Sequence, residues 1–503
     1  MKQLTTAVVA AIVALGASAE GYQVNTFSAK QEGMGHVGVA MKLGAESQIF
    51  NPGALAFMNK TMEISGAMSG IKATANAYLP DGSKVTSSNK VSTPMNFSAA
   101  FRIYDNLYAG VTLYTPYGSS INWGKNWAGA ALNQSVDLKV FDVQPTISWR
   151  VLPNLSVGAG LMIAWGSVNL NKALVSGTSL DRVAQLQYHA AKLQWDVANA
   201  THLLNPSAPA PGAEPTAPTA TYGHVAPASV NLTGDSELAL GFNVGVLWDI
   251  NEKWNLGASF RSKMNMHVTA GNAEVEYANE AARQLLGETL DNLNYANFDA
   301  SMPCPYVLTL GTSYKPIPRL ELAFDLQLNG WGTYKSLDIS FAGLPAFDQH
   351  LEKDYHNALT YHLGAQYNLT DRLDLRAGLM LDTSPCNNDH YNPETPGATK
   401  IEPSVGLSFR PVKGLSIDVA FMYVYGTKVK GATGQYDNFL APVYNAGLAQ
   451  YNAGVAQFNQ VLGSVGMPPY QGAQLAPMNG VENFTADYQV HALIPAIGIS
   501  YSF

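Results

Sequence analysis

Three cations sit on the polar faces of segments whose opposite faces are apolar: Arg261 and Lys263 in one segment, Arg376 in another. A guanidinium or ammonium beside an apolar slot suits an amphipathic ligand, with its anionic head on the cation and its tail in the slot. Glu321, Asp325 and Asp374 occupy similar faces. They leave a second reading open, in which the cations only balance local charge. Covalent chemistry finds no foothold. The 10 histidines are scattered without metal-ligand spacing. No Ser-His-acid set stands out, and Gly158-Ala159-Gly160 lacks the setting of a phosphate loop. The expectation is a binding protein with no catalytic residue, no metal and no cofactor. Cys304 and Cys386 are too few for a disulfide scaffold. Both fall at outer strand ends, where a loop-bracing disulfide between them is one option.

The elements that would position these cations show in the alternation around them. Leu320, Leu322, Phe324, Leu326 and Leu328 interleave with Glu321, Ala323, Asp325, Gln327 and Asn329. Leu373, Leu375, Leu379 and Leu381 alternate with Asp374, Arg376, Gly378, Met380 and Asp382. At the C-terminus Leu493, Ile497, Ile499, Tyr501 and Phe503 share one face, with Ala492, Ala496, Gly498, Ser500 and Ser502 on the other. A period of two means strands. In a soluble sandwich the apolar faces would form the core; in a membrane barrel they face lipid and the polar faces line a lumen.

Connection lengths separate the two. Tight turns fall at 105–106, 153–154, 251–252, 316–318, 370–371 and 412–414. Longer connections lie near 78–90, 119–135, 171–235, 276–300, 341–353, 384–399 and 430–484. Six turns and seven loops join about fourteen strands, turns at one end and loops at the other. The predicted fold is all-β: a 14-stranded antiparallel transmembrane β-barrel over residues 59–503.

Composition and address agree. Charged residues are only 13%, beside 45 Gly and 25 Tyr, whereas soluble domains carry roughly 25% charged residues. A net charge of −8 argues against nucleic acid and anionic membrane surfaces as partners. Lys2, the apolar run Ala7 to Leu15 and Ala17-Ser18-Ala19 make residues 1–19 a secretory signal peptide. No segment offers ~20 uninterrupted apolar residues for a helical span. The expected location is the outer membrane of a Gram-negative bacterium, as a monomer in outer-membrane lipid. The terminal Phe503 resembles the signature read by the outer-membrane assembly machinery.

Two segments depart from the strand pattern. Residues 20–58 hold Gly33, Gly35, Gly38 and Gly44 among Tyr22, Val24, Phe27, Ile49 and Phe50, too apolar for a free tail. A compact plug folded inside the barrel would bury them. The third strand runs into Thr115-Pro116-Tyr117-Gly118, where Pro116 cannot donate to a neighbour and Gly118 weakens the ladder. Either pairing fails there and leaves a gap in the wall, or Pro116 merely ends the strand. In the outer loops, residues 180–204 have helical periodicity, and Tyr444, Leu448, Tyr451, Val455, Phe458 and Leu462 form a heptad-spaced seam.

In this frame Gly21-Tyr22-Gln23-Val24-Asn25, Gly33-Met34-Gly35, Asn51-Pro52, Tyr117-Gly118, Trp127-Ala128-Gly129, Phe260-Arg261-Ser262, Trp331, Leu375-Arg376-Ala377-Gly378 and Met422-Tyr423 follow one another in order. On these stretches nearly the whole mature chain resembles the FadL/TodX family of outer-membrane transporters for long-chain fatty acids and hydrocarbons. The resemblance implies capture of a hydrophobic small molecule at outer loops, binding in a luminal pocket, and lateral release through a kink in the third strand. It makes Asn51-Pro52-Gly53 the plug motif beside that kink, with Gly53 where the family has alanine. It aligns Lys172, and more loosely Lys353, with head-group cations, and Tyr22 with an aromatic inserted into the pocket. For Tyr22, ordinary packing within the plug is the competing reading. Two other functions fit the same barrel: a general porin, and a surface receptor or adhesin built on the 430–484 loop.

Overall fold

The structure, a computed structural model, describes residues 21–219 and 221–503. The expected leader, residues 1–19, lies outside the described residues. Fourteen strands close into one antiparallel ring. They are β1 (Met62–Ser69), β2 (Met95–Tyr104), β3 (Leu107–Asn122), β4 (Ser135–Leu152), β5 (Leu155–Val175), β6 (Ala239–Asn251) and β7 (Trp254–Arg261). The circuit continues with β8 (Val307–Ile317), β9 (Leu320–Asn329), β10 (Ala358–Thr370), β11 (Leu373–Asp382), β12 (Lys400–Phe409), β13 (Leu415–Gly426) and β14 (Val481–Ser502). Each pairs with its neighbours in sequence, and β14 returns to β1 with Ser502 opposite Glu63. The six tight turns join strands where the sequence places them. Further strands, among them Ala228–Asp235, Met264–Tyr277, Asn297–Cys304 and Ser336–Phe341, extend the sheet past the ring at the long-loop end.

The burial pattern is that of a soluble protein turned inside out. Phe97, Trp149, Leu161, Leu240, Leu363, Val405 and Ile497 are exposed on the outer surface. Ser98, Thr112, Gln144, Asn243, Thr360 and Ser408 are fully buried on the inner one. Leaving such apolar side chains in water would cost ~1.5–3 kcal/mol each. A belt of them around a closed sheet is stable only against hydrocarbon. Among the described residues no helix is long and apolar enough to cross a membrane.

The polar inner face has a specific task. Residues 26–58 form only short helical pieces (Ala29–Glu32, Gly44–Glu46, Ser47–Phe50 and Pro52–Phe57), and the backbone groups these leave unpaired need partners. Side chains from around the ring supply them. Asp325 of β9 accepts from the Gly38 and Val39 amides at 2.6 and 2.9 Å, and Ser404 of β12 accepts from Gly35 N–H at 3.0 Å. Asn96 of β2 donates to the Phe27 carbonyl at 2.6 Å, and Ser313 of β8 to Ala40 at 3.1 Å. The Lys30 ammonium lies 3.8 Å from Asp418 of β13 and donates to Ser500 of β14.

At the long-loop end, α1 (Gly177–Leu204), α2 (Glu280–Leu290) and α3 (Ala441–Ser464) form. Ser176 caps α1 by accepting from the Ser179 amide. The helices α1 and α3 run parallel: a methyl on Gly447 would lie 3.2 Å from Leu186, and one on Gly454 would lie 3.1 Å from Leu193. Both partners advance by seven residues, and the expected seam residues Tyr444, Leu448, Tyr451, Phe458 and Leu462 are buried in this contact.

Candidate functional site

The ladder breaks at Pro116. The β2 register ends with Asn96 opposite Tyr114, and the β4 register shifts between Tyr114 and Tyr117. Beyond that point the edge of β3 facing β2 is taken by the chain's own N-terminal residues. Val24 N–H donates to the Pro116 carbonyl at 2.9 Å and Gly118 N–H to the Tyr22 carbonyl at 2.8 Å, with Gln23 bridging Tyr117. Thr115 Oγ1 takes a long 3.5 Å bond from the Met95 amide. A cavity of about 490 Å³ lies here, lined by Val24, Thr115, Gly118 and Ser119. Its lining runs from the buried Met380 and Met422 to Val91 and Met95, which are exposed on the outer surface.

On the other side of Tyr22–Val24 lies an aromatic cluster. The Tyr22 ring meets Trp331 edge-on at 4.7 Å, Tyr334 at 6.0 Å and Tyr117 at 6.1 Å, and its hydroxyl donates to the Pro303 carbonyl. Burial, and then the neighbouring Tyr334, hold that hydroxyl well above the ordinary tyrosine range. The same apolar cluster continues to a second cavity of about 70 Å³, lined by Val140, Leu170, Leu232, Met266, Phe298 and Ile339. Leu138 and Lys139 border both cavities.

A charged group adjoins the apolar cavity. Lys172, two residues along β5 from Leu170, donates to Gln349 Oε1 at 2.9 Å, and Gln349 pairs in register with Ile339. Lys353 is fully buried and ion-paired with Glu394. Lys172 lies within electrostatic reach of both Glu394 and Lys353. The two lysines marked by resemblance are thus brought within electrostatic reach of each other near the apolar slot, whose lining includes neither.

Other expected residues lie elsewhere. Asn51-Pro52-Gly53 sits against β5 and β6 rather than beside the β3 kink. Asn51 Nδ2 donates to the Val39 and Val246 carbonyls at 2.7 and 2.9 Å. Backbones approach closely there: a Cβ on Gly158 would lie 2.4 Å from the Pro52 carbonyl, and one on Gly53 would lie 2.8 Å from Gly245 O. Glycine at position 53 is a packing requirement. Asn51→Ala removes both bonds and is expected to destabilise the docked segment by ~2 kcal/mol, read as faster proteolysis within residues 26–58 at unchanged barrel mobility on gels.

Arg261 stacks its guanidinium 5.2 Å from the Phe27 ring and lines a small polar cavity with Asp325 and His362, away from the apolar slot. Lys263 is a correction. The strand ends at Arg261, Ser262 bonds back to Phe242 through backbone and side chain, and the inward phase resumes at Met264. Lys263 therefore points outward and is exposed. Arg376 is also no ligand cation. It donates to Ser408 at 2.5 Å and Gln366 at 2.8 Å and lies 3.5 Å from Asp418 and 3.7 Å from Asp374, at the tight-turn end of β11. The bracing disulfide is corrected too. Cys304 and Cys386 are both free and buried, the first beside Tyr22 and Tyr117 and the second beside Tyr355 and Tyr391. Phe503 is exposed and donates its amide to the Met62 carbonyl at 2.9 Å.

Sequence reasoning missed Gln349, Glu394, Tyr334 and Tyr355. Glu394 lies in Asn392-Pro393-Glu394, a connection without periodicity that folds inward. It is held there by Ser119 Oγ on the Glu394 carbonyl and by the Trp123 indole on the Pro393 carbonyl.

Comparison with known proteins agrees with this geometry. A family described as outer membrane protein transport protein (OMPP1/FadL/TodX) matches residues 10–459. The long-chain fatty acid transport protein of Escherichia coli is 22% identical over 460 residues, covering 86% of this chain and 93% of that one. Outer membrane protein P1 of Haemophilus influenzae is 22% identical in two forms. One match spans 65% of this chain and 64% of that protein, the other 83% and 88%. Among solved structures, a Pseudomonas aeruginosa FadL homologue aligns with TM-score 0.68 at 17% identity, over 96% of this chain and all (100%) of that one. The Pseudomonas putida toluene transporter TodX aligns with TM-score 0.61 at 15% identity, over 96% and 100%. These relatives are transport proteins of the outer membrane, not enzymes. The inverted barrel, the ladder break and the match over most of the chain together place this protein in the OMPP1/FadL/TodX family of outer-membrane transport proteins.

Proposed function

We propose that this protein carries hydrophobic small molecules, long-chain fatty acids or similar lipophiles, inward across the outer membrane and releases them sideways into the bilayer. Residues 21–58 act as the plug. The route is capture at the outer loops, binding in the apolar cavity near Lys172 and Lys353, passage past Tyr22–Val24, and exit at the β3 kink. Relatives named for long-chain fatty acid transport and for toluene support the ligand class.

The observation that carries the reading is a pair of cavities that share Leu138 and Lys139. One is apolar; the other is lined by Gln23 and Val24 and runs to the outer surface at the broken ladder. Physics favours the sideways exit. An alkyl chain gains ~0.8 kcal/mol per methylene by staying out of water, which a water-filled pore would forfeit.

Filling the inner cavity tests the binding step. Leu232→Trp is expected to lower affinity for a labelled lipophile at least about tenfold while the barrel keeps its heat-modifiable mobility on gels. Unchanged binding to a folded variant would remove this cavity from the route.

A further inference from the structure

The cavity at the broken ladder has a polar inner end. It follows the inner wall from β4 round to β11, where Met380, Lys400, Glu402 and His36 of the N-terminal segment line it. Ser404, two residues along β12 from Glu402, accepts from the Gly35 amide and so holds His36 at this end. Between this end and the exposed Val91 and Met95 the wall is apolar, lined by Ile71, Met422, Val424, Ala492 and Ile494. A cavity of about 490 Å³ with a polar end, an apolar stretch and an opening on the outer surface suits an amphiphile lying along the wall.

The polar end is rich in negative charge and acceptors. Glu402 is buried, with the Lys400 ammonium attracting it and Asp382 and Glu32 in reach as like charges. Lys400 itself lies 3.4 Å from Asp382. Glu402 and Asp382 thus draw on the same ammonium, and Glu32 adds a third carboxyl group. His36 is 5% exposed, and neither of its ring nitrogens has a hydrogen-bond partner. Burial, and then His362, hold its pKa well below the ordinary histidine value. The ring stays neutral, offers a lone pair and adds no cation. Other cations on the lining stand at the mouth, where Lys139 is ion-paired with Asp137 and Lys90 is exposed. A buried carboxylate short of positive charge is costly, and an entering ammonium brings both the charge and three donors.

We propose that the inner end of this cavity holds the ammonium head of a long-chain amine, with Glu402 as its counter-charge and the tail directed along the apolar wall to the opening. In naming a ligand class for the cavity through which the proposed route leaves the barrel, the inference rests on that route.

The test uses the full protein in nanodiscs of zwitterionic lipid with tritiated dodecylammonium, dodecan-1-ol and dodecanoate, and binding to empty discs is subtracted. The pH is mildly alkaline, below the ~10.4 of an alkylammonium, so that the amine keeps its proton. Leu232→Trp is present throughout to fill the apolar cavity, so that binding reports the one at the broken ladder. This protein is expected to bind the ammonium about tenfold more tightly than the alcohol, and the carboxylate more weakly than either. Glu402→Gln should lower affinity for the ammonium about tenfold and leave the alcohol within about twofold; retained alcohol binding also reports an intact cavity. Glu402→Asp, which keeps the charge, should keep the preference. Ala492→Trp, which fills the apolar stretch, should weaken ammonium and alcohol alike. The proposal is overturned if the alcohol or the carboxylate binds as tightly as the ammonium, if Glu402→Gln leaves the ammonium-to-alcohol ratio unaltered, or if Ala492→Trp leaves ammonium binding intact. Uptake separates it from the reading beneath. If Pro116→Val cells take up dodecylammonium at the wild-type rate while the Glu402→Gln effect on binding holds, the route falls and the site stands. If Pro116→Val blocks uptake while Glu402→Gln leaves the ratio unaltered, only the present inference falls.

Discussion

Gly158→Val is expected to turn a closed barrel into a conducting one. A side chain at this position on β5 would start 2.4 Å from the Pro52 carbonyl, with backbone rather than a flexible side chain in the way. The Asn51 turn cannot seat against β5 and β6, and its bonds to Val246 and to Ser156 are lost with it. The strand has no such difficulty, because valine suits β-structure. The barrel should therefore assemble normally while residues 26–58 lose their dock. In planar bilayers the wild type should show no steady conductance and the variant a porin-like one. Equal conductance in the two proteins would mean that this segment does not block the lumen, and the porin reading would return.

Pro116→Val and Gly118→Leu should each cut uptake of a lipophile about tenfold or more without loss of assembled protein. Valine at 116 restores an N–H and a good strand former where the register shifts. A bulkier residue at 118 starts 3.1 Å from the Leu138 carbonyl and 3.7 Å from Val24, at the border of both cavities. Uptake by cells expressing each variant, normalised to surface-exposed barrel, gives the measurement. Wild-type rates in both variants would take the β3 kink out of the route.

The barrel was legible because its signals are local and repeated. Alternation along Leu320 to Asn329 needs no knowledge of the partner strand, and tight turns such as Pro153-Asn154 announce themselves by residue type. Pro116 was legible for the same reason, since a missing donor is a property of one residue. What escaped depends on contacts distant in sequence. Asp325 reads as a generic luminal carboxylate until Gly38 and Val39 are seen to donate to it across 286 residues or more. Lys263 was misplaced because strand phase was carried through Ser262, where a local bond back to Phe242 resets it. Arg376 and the two cysteines illustrate the same limit: residue type suggested a role, and neighbours set it. Glu394 had no signal at all, because a non-periodic connection gives no indication of which way it folds.

On the proposed route, ligand leaves the lumen only when Tyr22–Val24 parts from the edge of β3 that it pairs with beyond Pro116. Cysteines at Gln23 and Tyr117, which bridge antiparallel in the resting structure, allow that contact to be locked and released. In a Cys304→Ser background, which removes the native thiol beside Tyr117, uptake of a labelled lipophile by cells carrying Gln23→Cys with Tyr117→Cys should be lost on oxidation and return on reduction, with each single variant insensitive to both. Equal uptake by the oxidised, fully cross-linked protein would contradict the account.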